Sequence, residues 1–128
     1  MKELTEKGLE TFAEIRGRDC SDQMRAEINE GGFNADLSVL SADFVFGSVW
    51  TRGGLERKQR SLVTMGILIA NRATKEFKNH VKVGLNNGLT VAEIKEAIIQ
   101  SAAYAGFPAA RTAGDAAIEV FKELGIQL

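Results

Sequence analysis

An all-α fold, six to seven helices in one domain spanning residues 1–128, is predicted by three observations. The chain of 128 residues holds a single Pro, the residue that most often breaks helices. Apolar residues recur at three- and four-residue spacing, the helical period. Nowhere do apolar and polar residues alternate long enough to demand a strand. A chain of this length forms one domain and removes roughly two-thirds of its unfolded surface from water. Its apolar content of 45% excludes a disordered chain.

The elements follow in order. Leu4, Leu9, Phe12 and Ile15 mark a first helix that stops at Gly17. Ser21 or Asp22 is expected to cap a short polar helix running to about Glu30 and ended by Gly31-Gly32. A third helix is expected from about Leu37 to Trp50, with Leu37, Leu40, Phe44, Val45 and Val49 on one side, before the break at Gly53-Gly54. Leu55 to Asn71 is the most apolar stretch, interrupted between Leu62 and Ala70 only by Thr64. A helix apolar nearly all round is buried on most sides, so it is expected to be the central element. Residues from about Thr74 to Asn86 form a fifth helix, ended by Asn86-Asn87-Gly88. Thr90-Val91-Ala92-Glu93 reads as a capping box, in which the hydroxyl and the carboxylate each satisfy a backbone N–H. The helix it opens turns Val91, Ile94, Ile98, Ala102 and Ala105 inward. Gly106-Phe107-Pro108 punctuates it, and a last helix ends at Gly125.

Small residues crowd the last third, from Ala102 to Ala117. They let helix axes approach closely, either inside one chain or across a subunit boundary. The expectation is a homo-oligomer that packs through helices.

Sixteen Lys and Arg against 17 Asp and Glu give a net charge of −1. That balance supplies no field for nucleic acid or an anionic membrane, so neither is an expected partner. The longest apolar run, Met65 to Ala70, is far short of the about 20 residues a membrane span needs. The N-terminus is charged from Lys2 onward and has no apolar h-region, and Cys20 is the lone thiol. Both point to a reducing, cytoplasmic setting. One Cys excludes a dithiol within the chain, and one His with one Cys are too few for an ordinary zinc site. No glycine-rich nucleotide loop is present.

His80 is the only histidine, the one side chain whose ordinary pKa lies near neutrality. Glu76 precedes it by one helical turn, so on a continuous helix the two share a face. A carboxylate so placed orients the imidazole for acid–base work. The same spacing also describes a solvated surface pair, with Glu76 stabilised by the helix dipole if Thr74 caps the helix. Arg60 and Arg72 bracket the apolar helix, and an arginine fork matches a carboxylate. Arg57 and Lys58 read as an exposed face. Tyr104, the only tyrosine, is a core residue or lines a pocket. Trp50, Phe44 and Phe46 read as core or interface.

Several segments together resemble the carboxymuconolactone decarboxylase family, within the alkyl-hydroperoxidase-D-like superfamily. They are Phe46-Gly47-Ser48-Val49-Trp50-Thr51-Arg52-Gly53-Gly54-Leu55, Arg60-Ser61-Leu62, Asn71-Arg72, Glu76, His80 and Asn86-Asn87-Gly88-Leu89-Thr90. Glu93-Ile94-Lys95-Glu96 and Tyr104-Ala105-Gly106-Phe107-Pro108-Ala109-Ala110 complete the match. The likeness covers at least residues 44–120. It implies a trimer or hexamer that uses neither metal nor organic cofactor. The implied reaction is a carboxy-lyase step of aromatic catabolism, in the protocatechuate branch of the β-ketoadipate pathway. There 4-carboxymuconolactone loses CO₂ to give β-ketoadipate enol-lactone. On this likeness His80 is proton donor or oxyanion stabiliser, Glu76 its partner, Arg60 and Arg72 the carboxylate binders, and Tyr104 a pocket residue. The partner is then a small carboxylated lactone.

Two departures stand out. The family's decarboxylases read Trp-Gly-Glu where this chain has Phe46-Gly47-Ser48, which leaves open another small carboxylated lactone or acid as substrate. Ala73 and Glu76 occupy the places of the peroxidase relatives' cysteines, which argues against dithiol peroxidase chemistry. A non-catalytic oligomeric scaffold is the third reading.

Overall fold

The computed structural model describes all 128 residues, Met1–Leu128. It is built of helices with no strand: α1 Glu3–Arg16, α2 Arg18–Glu30, α3 Ala35–Leu40, a π-helix Ser41–Val49, α4 Arg57–Ala70, α5 Thr74–Asn86, α6 Val91–Ala105 and α7 Phe107–Glu123. The all-α class and the seven α-helices are as the periodicity predicts. The chain divides into two compact units, Met1–Leu55 and Glu56–Leu128.

In the first unit, Gly17 at φ 108° ends α1 by donating its N–H to Ala13 and at once opens α2. Ser21 therefore lies inside α2 and does not cap it. Its buried hydroxyl donates to the Leu9 carbonyl at 2.6 Å and ties α2 to α1. Two arginine forks join the same helices on the outside, Arg25 to Glu6 at 2.7 and 2.8 Å and Arg18 to Glu10 at 3.0 and 3.1 Å.

The expected third helix becomes two. After α3 the backbone widens into a π-helix, shown at its end by the Trp50 N–H donating to Val45, five residues back. The Ser48 hydroxyl donates to the Asp43 carbonyl at 2.9 Å, again spanning five residues. Leu37, Leu40 and Phe44, expected on one apolar side, are exposed, while Ala42, Asp43 and Gly47 are buried. The reason is close backbone approach: a Cβ on Gly8 would lie 1.8 Å from the Ala42 carbonyl oxygen. Small residues face α1 because there is no room for large ones. Asp43 closes this contact, accepting from the Thr5 hydroxyl at 2.5 Å and pairing with Lys2 at 3.0 Å. Phe12 of α1 and Phe46 of the π-helix add a tilted ring contact at 4.5 Å.

The second unit has its core in Met65, Ile69, Phe77, Val81, Leu89, Ile94, Ala113, Ala117, Val120 and Phe121. Met65 and Ile69 of α4 and Phe77 and Val81 of α5 meet at the four-residue spacing that stacks side chains on one helix face. Gly84 permits the approach of α5 to α4, since a Cβ there would fall 2.6 Å from Met65 Cε. The alanines of α7, Ala109, Ala110, Ala113, Ala116 and Ala117, are buried within the unit, so tight internal packing accounts for them. Helix α4 is not buried on most sides. Ser61, Met65 and Ile69 face the core, but Val63 and Ile67 are 57% and 55% exposed. The core contacts come to one side of α4, which leaves the other apolar side in solvent. The capping box at Thr90 forms as expected, with both hydrogen bonds at 3.0 Å. A second one, Glu56 with Gln59, opens α4.

Candidate functional site

Helix α5 runs unbroken from Thr74 to Asn86, so Glu76 and His80 share one of its faces. Ala73, not Thr74, is its N-cap residue. Glu76 is exposed in the first turn, where the helix dipole stabilises its charge. His80 is half-buried, and its Nε2 lies out of contact with solvent. The shielded ring nitrogen sets His80 apart from a freely solvated imidazole.

Arg60 stands in the first turn of α4, half-buried, with its Nε shielded from solvent. Arg72 is not on α5 with Glu76. It occupies the turn between α4 and α5, exposed, with its N–H donating to Ile69 and its backbone in the left-handed region at φ 55°. The two arginines thus sit at opposite ends of α4, separated by a rise of about 15 Å along the helix. Tyr104, in the last turn of α6, is 89% exposed. It is not a core residue. The reason lies in the helix period: ten residues on from core-facing Ile94, Tyr104 is turned roughly 80° away from it, off the core side of α6. Trp50 is buried, Phe46 is half-buried against Phe12, and Phe44 is exposed.

Two grooves mark the second unit. One, of about 520 Å³, lies between α4 and α6 and is lined by Leu62, Gly66, Ala97 and Ser101 together with Glu93 and Glu96. Its carboxylates repel an anionic ligand. The Thr90 N–H and hydroxyl bonds hold the Glu93 carboxyl below its ordinary range, so it stays charged. The other, of about 410 Å³ between α6 and α7, is apolar apart from Lys95. Neither groove is lined by His80, Glu76, Arg60, Arg72 or Tyr104. The candidate chemistry lies instead on α5 and at the ends of α4.

Sequence reasoning passed over one contact near these residues. The side-chain amide of Asn87, just past α5, donates to the Oγ of fully buried Ser61 at 3.0 Å. Both residues lie in segments that carry the family likeness, which was the available signal. Neither has distinctive chemistry alone.

Comparison with known proteins places these residues in context. A model of the carboxymuconolactone decarboxylase family matches residues 37–119, from α3 into α7, and spans all five candidate residues. The 4-carboxymuconolactone decarboxylase of Acinetobacter baylyi is 40% identical over 120 residues, covering 94% of this chain and 88% of its own. The nitrosuccinic acid decarboxylase of Metarhizium robertsii is 35% identical over 107 residues, 84% of this chain and 73% of its own. An uncharacterised 15.0 kDa protein of Paracoccus denitrificans is 35% identical over 92 residues, 68% of this chain and 69% of its own. With that family's pattern running through more than half of its length, this chain belongs to the carboxymuconolactone decarboxylase family.

Proposed function

We propose that this protein is a carboxy-lyase that converts 4-carboxymuconolactone to β-ketoadipate enol-lactone and CO₂, a step of the protocatechuate branch of the β-ketoadipate pathway. The carrying observation is 40% identity to a 4-carboxymuconolactone decarboxylase over 94% of the chain. The family match crosses from the first unit into the second, which supports reading residues 1–128 as one functional domain.

The chemistry needs no group beyond those on the chain. The departing carboxylate is conjugated through an alkene to the lactone carbonyl. When the carbon–carboxylate bond breaks, CO₂ leaves and the electron pair runs to the carbonyl oxygen as a dienolate. The pair returns to form a C–H bond when carbon takes a proton. His80, shielded at Nε2, is the proton donor or stabilises the oxyanion, and recovers its proton from solvent. Glu76 orients it. Arg60 and Arg72 hold substrate carboxylates, and exposed Tyr104 borders the bound substrate.

In this reading the protein works in the cytoplasm as a homo-oligomer, a trimer or hexamer. Large apolar side chains left in solvent, among them Val63, Ile67, Tyr104 and Phe107, support assembly. Tyr104 then reaches its place at a substrate held near a subunit boundary.

A second reading keeps the decarboxylation and changes the acid. It is favoured by Ser48, which stands where the family's decarboxylases carry a Glu and spends its hydroxyl on the Asp43 carbonyl. A relative at 35% identity is a nitrosuccinic acid decarboxylase. Its substrate shares the requirement for an oxygen-bearing electron sink beside the departing carboxylate.

The test is CO₂ release by purified protein, chelator present, from enzymatically generated 4-carboxymuconolactone and, in parallel, from nitrosuccinic acid. Turnover of the lactone that survives chelation and falls about a hundredfold or more in His80→Gln is the expected result. Turnover of the nitro acid alone moves the assignment to the second reading. Release from neither substrate by folded, assembled protein overturns both assignments.

A further inference from the structure

The hydrogen bond from Asn87 to Ser61 joins the beginning of α4 to the end of α5. Ser61 has no solvent exposure. The Asn87 amide is presented from a rigid corner: its own N–H donates to Val83 at 2.8 Å, Gly88 at φ 102° donates to Leu85 at 3.1 Å, and Leu89 donates to Gly84 at 2.9 Å. A backbone held by three successive bonds has little freedom left to lose, so only the Asn87 side-chain torsions are ordered by the bond to Ser61. Ser61 directly follows Arg60 on α4, and α5 carries His80. The bond therefore fixes the start of α4, and with it Arg60, against the end of α5. Each residue of slip between packed helices moves a side chain by about 1.5 Å.

We propose that Asn87 is a positioning residue: through buried Ser61 it sets where the Arg60 guanidinium meets the substrate carboxylate. The proposal rests on the assignment of Arg60 to substrate binding, and its test separates the two. Asn87→Ala raises KM about tenfold and changes kcat by less than about threefold, because the lost contact acts on ground-state binding. Ser61→Ala does the same, and the double variant is no worse than either single one, as expected of two residues acting through one bond. In an Arg60→Ala background, Asn87→Ala has no further effect on KM.

An Asn87→Ala enzyme that melts earlier but keeps the wild-type KM overturns the proposal and leaves Asn87 a structural residue. An Arg60→Ala enzyme with unchanged KM overturns the assignment of Arg60 instead. A readout independent of turnover is hydrogen exchange at Arg60 Nε, which is shielded from solvent. It accelerates at least about tenfold in Asn87→Ala while the amides of Phe77 and Ile94 keep their protection. Unchanged exchange at Arg60 Nε overturns the proposal whatever the substrate proves to be.

Discussion

Arg72 holds a backbone conformation that glycine adopts freely and that costs other residues roughly 1–2 kcal/mol. The turn between α4 and α5 imposes it. Arg72→Gly relieves that strain but adds backbone entropy of about 0.5–1 kcal/mol to the unfolded chain. The variant is expected to be as stable as the parent, or up to about 1 kcal/mol more so, by thermal melting. Its KM for the proposed substrate should nevertheless rise about tenfold or more. A lower melting temperature with unchanged KM would remove Arg72 from substrate binding. Gly8 is the opposite case. Its missing Cβ would lie 1.8 Å from a backbone oxygen that cannot swing aside. Gly8→Ala should therefore destabilise the first unit by about 3 kcal/mol or more, read from denaturant melts. The pairing of Glu76 with His80 was legible because a four-residue step on a helix is fixed geometry. The roles of Gly8 and of Ser61 with Asn87 were not, because their partners are distant in sequence and close packing leaves no compositional mark.

At the scale of elements, helix ends were readable where side-chain chemistry sets them. Thr90→Ala removes one hydrogen bond of the α6 capping box and should cost about 1 kcal/mol in a denaturant melt. The Glu56–Gln59 box uses a glutamate where Ser or Thr is the usual signal, so the start of α4 was placed two residues early. The π-helix was the largest departure. Apolar spacing does not mark where a helix widens to bond the fifth residue back, and the contact of Gly8 with Ala42 turns the small residues inward. Asp43 fastens that contact. The Thr5 hydroxyl, and then Lys2, hold its carboxyl below the ordinary range, against the effect of burial. A depressed carboxyl contributes stability above its unfolded pKa of about 3.9 and loses it as pH falls through the lower folded value. Helical circular dichroism of the wild type should thus fall below about pH 4. Asp43→Asn should weaken that acid dependence and lower stability at pH 7. An unaltered acid limb in the variant would show that other carboxylates dominate it.

For the whole molecule, a net charge of −1 supplies little mutual repulsion between copies. Val63 and Ile67, one turn apart on α4, form part of the apolar surface left in solvent. Val63→Glu with Ile67→Glu should shift light-scattering mass from an oligomer toward the 13.9 kDa chain. An unchanged mass would place the contact on another face. The exposed side of α4 also bears on how the fold responds to dilution. If burial of Val63 and Ile67 completes the native state, folding and association are one equilibrium. Melting temperature then becomes a function of protein concentration, rising with each tenfold increase as mass action draws chains into the assembled form. Stability measured at micromolar concentration in a cuvette would then understate what the same sequence holds at the higher concentrations of a cell.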